Sequence, residues 1–177
     1  MSLPTTPSQT VGPFFSFGLS WASGPYVVPA ASPGGFWLRG RVVDGAGDPV
    51  PDALIETWQA DPHGRFAVAD EAASAFRGFG RSGTDKQGFF GVFTVKPGRV
   101  ERQAPHVAVT VLARGLLNRL VTRVYFADET VANAEDPVLA SLPEPSRRAT
   151  LLAAVAGDGY RFDIHLQGEH ETVFFSF

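Results

Sequence analysis

The sequence contains no cysteine, which excludes disulfide bonds and any zinc or iron–sulfur site built on thiolates. Its 15 Lys and Arg are scattered among 18 Asp and Glu for a net charge of −3. No basic stripe forms, so nucleic acid is not an expected partner. No apolar run approaches the length of a membrane span, and the opening MSLPTTPSQT has neither the positive nor the apolar region of a secretory signal. A cytoplasmic location without a membrane partner is expected. Also missing are a glycine-rich phosphate loop, a Ser-His-Asp order, a repeat of solenoid period and any low-complexity segment.

What is present is a chain of 177 residues, 44% hydrophobic and 12% aromatic, enough for one sizeable core and short for two. A single domain over 1–177 is expected. Residues 1–35 are rich in Pro, Ser, Thr and Gly yet carry Phe14, Phe15, Phe17, Trp21 and Tyr26, which is not the composition of a disordered tail. Such an arm either covers an edge of its own sheet or reaches across a subunit interface, where aromatics are enriched. Runs with strand character then follow at short spacing: Phe36–Val43, Ala53–Gln59, Phe89–Val95, His106–Ala113, Leu120–Phe126, Arg161–Leu166 and Thr172–Phe175. Gly and Pro turns separate them. Only Asp136–Val155 reads as helical, with Pro145 placed to open a helix. The fold class expected is all-β: an antiparallel β-sandwich with an extended aromatic-rich N-terminal arm and a short peripheral helix.

The most informative stretch is GRVVDGAGDPVPDALIETWQADPHGRF, Gly40 to Phe66. A β-branched run, a dense Gly-Asp-Pro turn cluster and a second extended run give strand, turn, strand. In the second strand Leu54, Glu56 and Trp58 share one face and Ala53, Ile55, Thr57 and Gln59 the other. Glu56 thus stands between two large apolar groups and needs a partner, for which an Arg or a backbone amide is the ordinary solution.

This stretch resembles the core of the intradiol ring-cleavage dioxygenases, non-haem ferric enzymes that open catechols between their two hydroxyl carbons. FGRSGTDKQGFFGVFTVKPG (79–98), APHVAVTVLARG (104–115), TRVYFADE (122–129) and YRFDIHLQGEHETVFFSF (160–177) continue the resemblance to the C-terminus. The family binds iron through two tyrosines and two histidines, hard donors suited to the ferric state. The residues matching those positions here do not supply them. The His-x-His pattern becomes His106-Val107-Ala108, the tyrosine of the Lys-Pro-Gly turn becomes Val100, and 66–79 contains no tyrosine. Tyr26, Tyr125 and Tyr160 fall at no family ligand position. Metal ligands and catalytic residues are therefore expected to be absent from this chain taken alone.

One branch of the family builds its enzyme from two homologous chains, a beta chain that binds Fe(III) and an iron-free alpha chain. TPSQTVGPFF (6–15), EDPVL (135–139) and GEHETVFFSF (168–177) resemble the alpha type. The resemblance implies an iron-binding beta partner, a higher hetero-oligomer, and a shared pocket for O2 and an aromatic acid bearing a catechol. It also assigns part of the substrate wall to Thr10, Gly12, Pro13 and Arg114. Each role is physically reasonable. Gly12 permits close backbone approach to a flat ring, Pro13 fixes the turn, Thr10 offers a hydroxyl, and Arg114 is a permanent cation suited to a carboxylate. His106 and Arg114 lie eight residues apart, about 26 Å on an extended strand, and so cannot serve one small pocket. His63, His165 and His170 read as surface or packing residues. The aromatic arm and the VFFSF tail are candidate interface elements. The rival reading is a non-enzymatic β-sandwich binding or interaction module that shares only hairpin turn rules with the dioxygenases.

Overall fold

The computed structural model describes residues 7, 9–12, 14–67 and 75–176. Nine strands form one sheet: β1 (Gly35–Val43), β2 (Leu54–Trp58), β3 (Phe79–Gly83), β4 (Phe89–Val95), β5 (His106–Leu112), β6 (Leu120–Phe126), β7 (Leu152–Ala156), β8 (Gly159–Arg161) and β9 (Ile164–His165). Their spatial order is β3-β2-β5-β6-β7-β8-β1-β4, with β9 also on β1. β7 joins the two layers: Leu152 and Ala153 pair with β6, and Ala154 to Ala156 pair with β8. The result is a nearly closed, barrel-like sandwich.

The pairing is mixed rather than wholly antiparallel. β1–β4, β2–β3, β2–β5, β5–β6 and β7–β8 are antiparallel, whereas β1–β8, β1–β9 and β6–β7 are parallel. The chain leaves β6, makes an excursion over residues 127–151 and returns alongside it, and a crossover of that length permits parallel pairing.

That excursion also corrects the expected helix over Asp136–Val155. It is split into α2 (Thr130–Glu135), α3 (Pro137–Ala140) and α4 (Pro145–Ala149), and residues 152–156 are strand. Pro137 and Pro145 each open a new helix at its first turn, because proline cannot continue the hydrogen-bond ladder from a preceding turn. Thr172–Phe175 is not a ladder strand. It runs extended along the sheet, with Thr172 N donating to the His165 carbonyl at 3.0 Å and Phe175 N to the Val121 carbonyl at 2.8 Å.

The two end strands of the sheet, β3 and β4, are consecutive and joined by a turn at 84–88. There the Asp85 carboxylate accepts from the backbone N–H of Gln87 and Phe89, both at 2.9 Å. The arm fills the seam between them. Arg81 N on β3 donates to the Gly24 carbonyl at 2.7 Å, Phe93 N on β4 donates to the Pro25 carbonyl at 2.8 Å, and Val27 N donates back to the Phe93 carbonyl at 2.9 Å. Residues 24–27 thereby satisfy backbone groups on both edges that would otherwise face water or another chain. Upstream lies the short helix α1 (Phe15–Leu19).

Between the layers, Leu38, Val42, Ile55, Val107, Val109, Val111, Val124, Phe126 and Ile164 form the principal core. These are the alternate residues of β1, β2, β5 and β6 together with β9, and burying each large one stabilises the fold by about 1.5–3 kcal/mol. A second cluster around Tyr125, Leu139 and Leu151 lies under the helices. Gly40 is fixed by a close approach: a Cβ there would lie 1.7 Å from the Phe162 carbonyl oxygen.

Candidate functional site

The sheet presents one outer face built by β3, β2, β5 and β6. Register places Phe79, Trp58, Ala108 and Arg123 in one row across it and Arg81, Glu56 and Thr110 in the next, with His106 opposite Tyr125. Glu56 lies where the alternation of β2 put it, and its partner is Arg81. The guanidinium donates through Nε at 2.8 Å and Nη2 at 2.5 Å to one carboxylate oxygen.

At the positions where the family's iron ligands are expected, the side chains do not fit a ferric ion. Ala108 and Val100 have no donor atom. The residue opposite Ala108 is Arg123, whose guanidinium donates to Gln103 Oε1 at 2.8 Å and reaches the Tyr125 hydroxyl at 3.4 Å. A permanent cation here opposes binding of a trivalent one. His106 Nδ1 is engaged with the Ala104 carbonyl at 2.8 Å. Burial pushes the His106 pKa down, the Ala104 hydrogen bond offsets part of this, and the nearby Arg123 charge lowers it further. Tyr125 is driven the other way. Burial, reinforced by the charge of Asp136, raises its pKa to about 12, so it holds its proton at neutral pH. Among the described residues no three His, Asp or Glu side chains come together as a metal-binding group.

The anchor of this region is Asp136, which is fully buried. Its carboxylate accepts from Val138 N at 2.8 Å and Leu139 N at 2.9 Å as the cap of α3, from Ala104 N at 2.8 Å and from the Tyr125 hydroxyl at 3.3 Å. The sequence signal was the Asp-Pro pair at 136–137, a helix-start signature. What the pair does not reveal is that the same carboxylate reaches β5 and β6.

Of the residues expected to form a substrate wall, Thr10 and Arg114 lie at the other end of β5. Arg114 follows that strand, more than half exposed, and pairs through Nε with Asp52 from the turn before β2. The next residue, Gly115, donates its N–H to Thr10 Oγ1 at 2.8 Å. Two residues far apart in sequence, Thr10 and Arg114, are thus brought together beside a cleft of about 310 Å³ lined by Gln9, Val11, Leu112, Leu116 and Arg119. Gly12 is exposed, and nothing lies within 4 Å of where its Cβ would be. Pro13 lies outside the described residues. Sequence reasoning missed Asp52 and Arg123, since a single Asp in a turn and a single Arg in a strand carry no pattern of their own. His106 opens β5 and Arg114 lies beyond its far end, so the two belong to separate places. His63 lies exposed in a turn that Asp61 caps, and the His165 and His170 rings contact each other at 6.3 Å.

The fold and residue pattern define the class, and the comparisons agree. A family model described as Dioxygenase matches residues 12–168, and the chain belongs to the intradiol dioxygenase family. It is 47% identical over 194 residues to the protocatechuate 3,4-dioxygenase alpha chain of Burkholderia cepacia, covering 98% of each chain. Identity to the beta chain of the same species is 33% over 154 residues, covering 76% of this chain and 65% of that one. Among solved structures, the dioxygenase domain of a carbohydrate-binding fusion protein from Streptomyces sp. SirexAA-E superposes with a TM-score of 0.62 at 25% identity, covering 92% of this chain and 99% of that domain. Likeness of this extent is not confined to one hairpin, and so the interaction-module reading is not favoured. No helix among the described residues is long and apolar enough to cross a membrane.

Proposed function

We propose that this chain is the iron-free alpha subunit of a protocatechuate 3,4-dioxygenase, operating in the cytoplasm. With its beta subunit it completes an enzyme that adds both atoms of O2 to protocatechuate and yields 3-carboxy-cis,cis-muconate. The observation that carries this reading is the combination of alpha-type identity along nearly the whole chain with Ala108 and Val100 at matched ligand positions and Arg123 opposite Ala108. Fe(III) is held by the beta chain, and no residue of this chain is assigned to the bond-making steps.

The contribution of this chain is to bind and orient. Arg114 offers the substrate carboxylate a charged, forked donor, with Asp52 holding its Nε side. Thr10, Gly12 and Pro13 form the neighbouring wall. The Thr10 oxygen is occupied by Gly115 N, so its hydroxyl hydrogen remains available to donate. The exposed aromatic arm and the C-terminal VFFSF segment contact the partner, and the assembly repeats the alpha–beta unit.

The test is to express this chain alone and with its beta partner, measuring iron, visible absorbance and protocatechuate-dependent O2 uptake. A colourless chain that joins a coloured, active complex supports the reading. Stoichiometric iron with tyrosinate-to-iron absorbance in the lone chain overturns it.

A further inference from the structure

Glu56 was singled out in the sequence as a carboxylate needing a partner, and neither it nor Arg81 has a part in the substrate wall. The use Arg81 makes of its remaining atoms is informative. While Nε and Nη2 bind Glu56, Nη1 donates to the Leu19 carbonyl at 2.9 Å. The guanidinium carbon lies 5.1 Å from the Trp21 ring centroid and 5.2 Å from that of Phe79. Those two rings are nearly parallel, at 5° and 6.4 Å between centroids. The backbone N–H of the same residue holds the Gly24 carbonyl. One side chain and its own peptide therefore grip the arm at Leu19, Trp21 and Gly24. Gly24 itself is buried so tightly that a Cβ would lie 2.9 Å from the Arg81 carbonyl oxygen.

Upstream of Leu19 the arm meets the sheet domain again where Gly115 N donates to Thr10 Oγ1 at 2.8 Å. The arm is thus tethered at two ends. At one end is a neutral hydrogen bond on exposed residues; at the other is a part-buried charged pair with aromatic packing, which is the stronger attachment. Between them the arm exposes Phe14 and Phe17, 74% and 72% accessible.

We infer that Arg81, oriented by Glu56, is a positioning residue for the substrate wall: it clamps the arm at Leu19–Gly24 and so sets where Thr10 and Gly12 stand beside Arg114. This rests on the alpha-subunit reading. The clamp acts at a distance from the wall, and its effect is expressed in substrate binding.

The experiment uses the co-expressed alpha–beta complex with Arg81→Gln, Arg81→Lys, Glu56→Gln and, as reference, Arg114→Ala. Steady-state kinetics with protocatechuate are measured alongside iron absorbance and complex size. Arg81→Gln is expected to raise KM about tenfold, the scale of one charged hydrogen bond, with absorbance and assembly retained. Glu56→Gln is expected to raise it by less. Arg81→Lys, which keeps the charge but not the fork, should recover only part of the loss. If Arg114→Ala raises KM while the Arg81 and Glu56 variants leave it unchanged, the clamp is refuted and the wall stands. Should no variant move KM, the substrate-wall assignment of Arg114 fails together with the clamp. If Arg81→Gln does not assemble, Glu56→Gln decides: an unchanged KM in an intact complex overturns the proposal.

Discussion

The Arg114–Asp52 ion pair bears on the binding role proposed for Arg114. With one side of the guanidinium held by Asp52, the other side can meet a carboxylate without first being ordered. Arg114→Ala in the assembled enzyme should raise KM for protocatechuate about tenfold or more, because a charged hydrogen bond is lost, and iron absorbance should persist. Loss of iron in that variant would place the metal elsewhere. His106 gives a prediction of opposite character. Burial lowers its pKa below 6.5, so the folded chain resists a proton that the unfolded chain accepts. Its contribution to stability is complete above pH 6.5 and is lost as pH falls from there through the lower folded value. Urea midpoints measured from pH 7 to pH 5 should fall, and His106→Gln should flatten that part of the profile.

At the scale of elements, Asp136 and Gly40 connect separate pieces of structure. Asp136→Ala removes the cap of α3 and leaves the buried Ala104 N–H without its acceptor, so a loss of about 3 kcal/mol is expected from the cap and the orphaned donor together. Equilibrium denaturation of the complex measures it. Gly40→Ala drives a methyl into the Phe162 carbonyl, and overpacking of this kind costs roughly 1–3 kcal/mol or more. A reduced melting temperature at unchanged KM is the expected result. These elements also show what could be read from the sequence. β4 and β6 fall on the residues their β-branched and aromatic alternation indicates, and Glu56 found the Arg its position required. β7 was hidden because Leu152-Ala-Ala-Val-Ala suits helix as well as strand, and only its two neighbours decide it. At the site, Thr10 and Arg114 became candidates through the family resemblance, since a Gly-Pro loop and an Arg at a strand end carry no such signal by themselves. The Gly115 bond that joins them spans 105 positions of sequence and has no local signal.

On the scale of the whole molecule, the arm carries a run of exposed large apolar side chains, Phe14, Phe17, Leu19 and Trp21. Phe14 and Phe17 lie 5.9 Å apart and face solvent, an arrangement suited to burial against another chain. The isolated chain should self-associate in light scattering, and addition of the beta subunit should suppress this. Replacing both phenylalanines with serine should improve the behaviour of the lone chain while weakening assembly at least tenfold, since two large aromatic contacts are removed.

The seam between β3 and β4 has a consequence for biosynthesis. Gly24–Val27 leaves the ribosome before either strand exists, and its acceptor and donor on Phe93 follow almost seventy residues later. Until then the segment lacks its partners on β4, and the edge of β3 is only partly covered once that strand forms. A nascent chain halted shortly before β4 should be sensitive to protease within the arm and prone to edge pairing with its neighbours. Release of a chain that includes β4 should end both, because translation then supplies the last piece that lets its first strand-like segment settle.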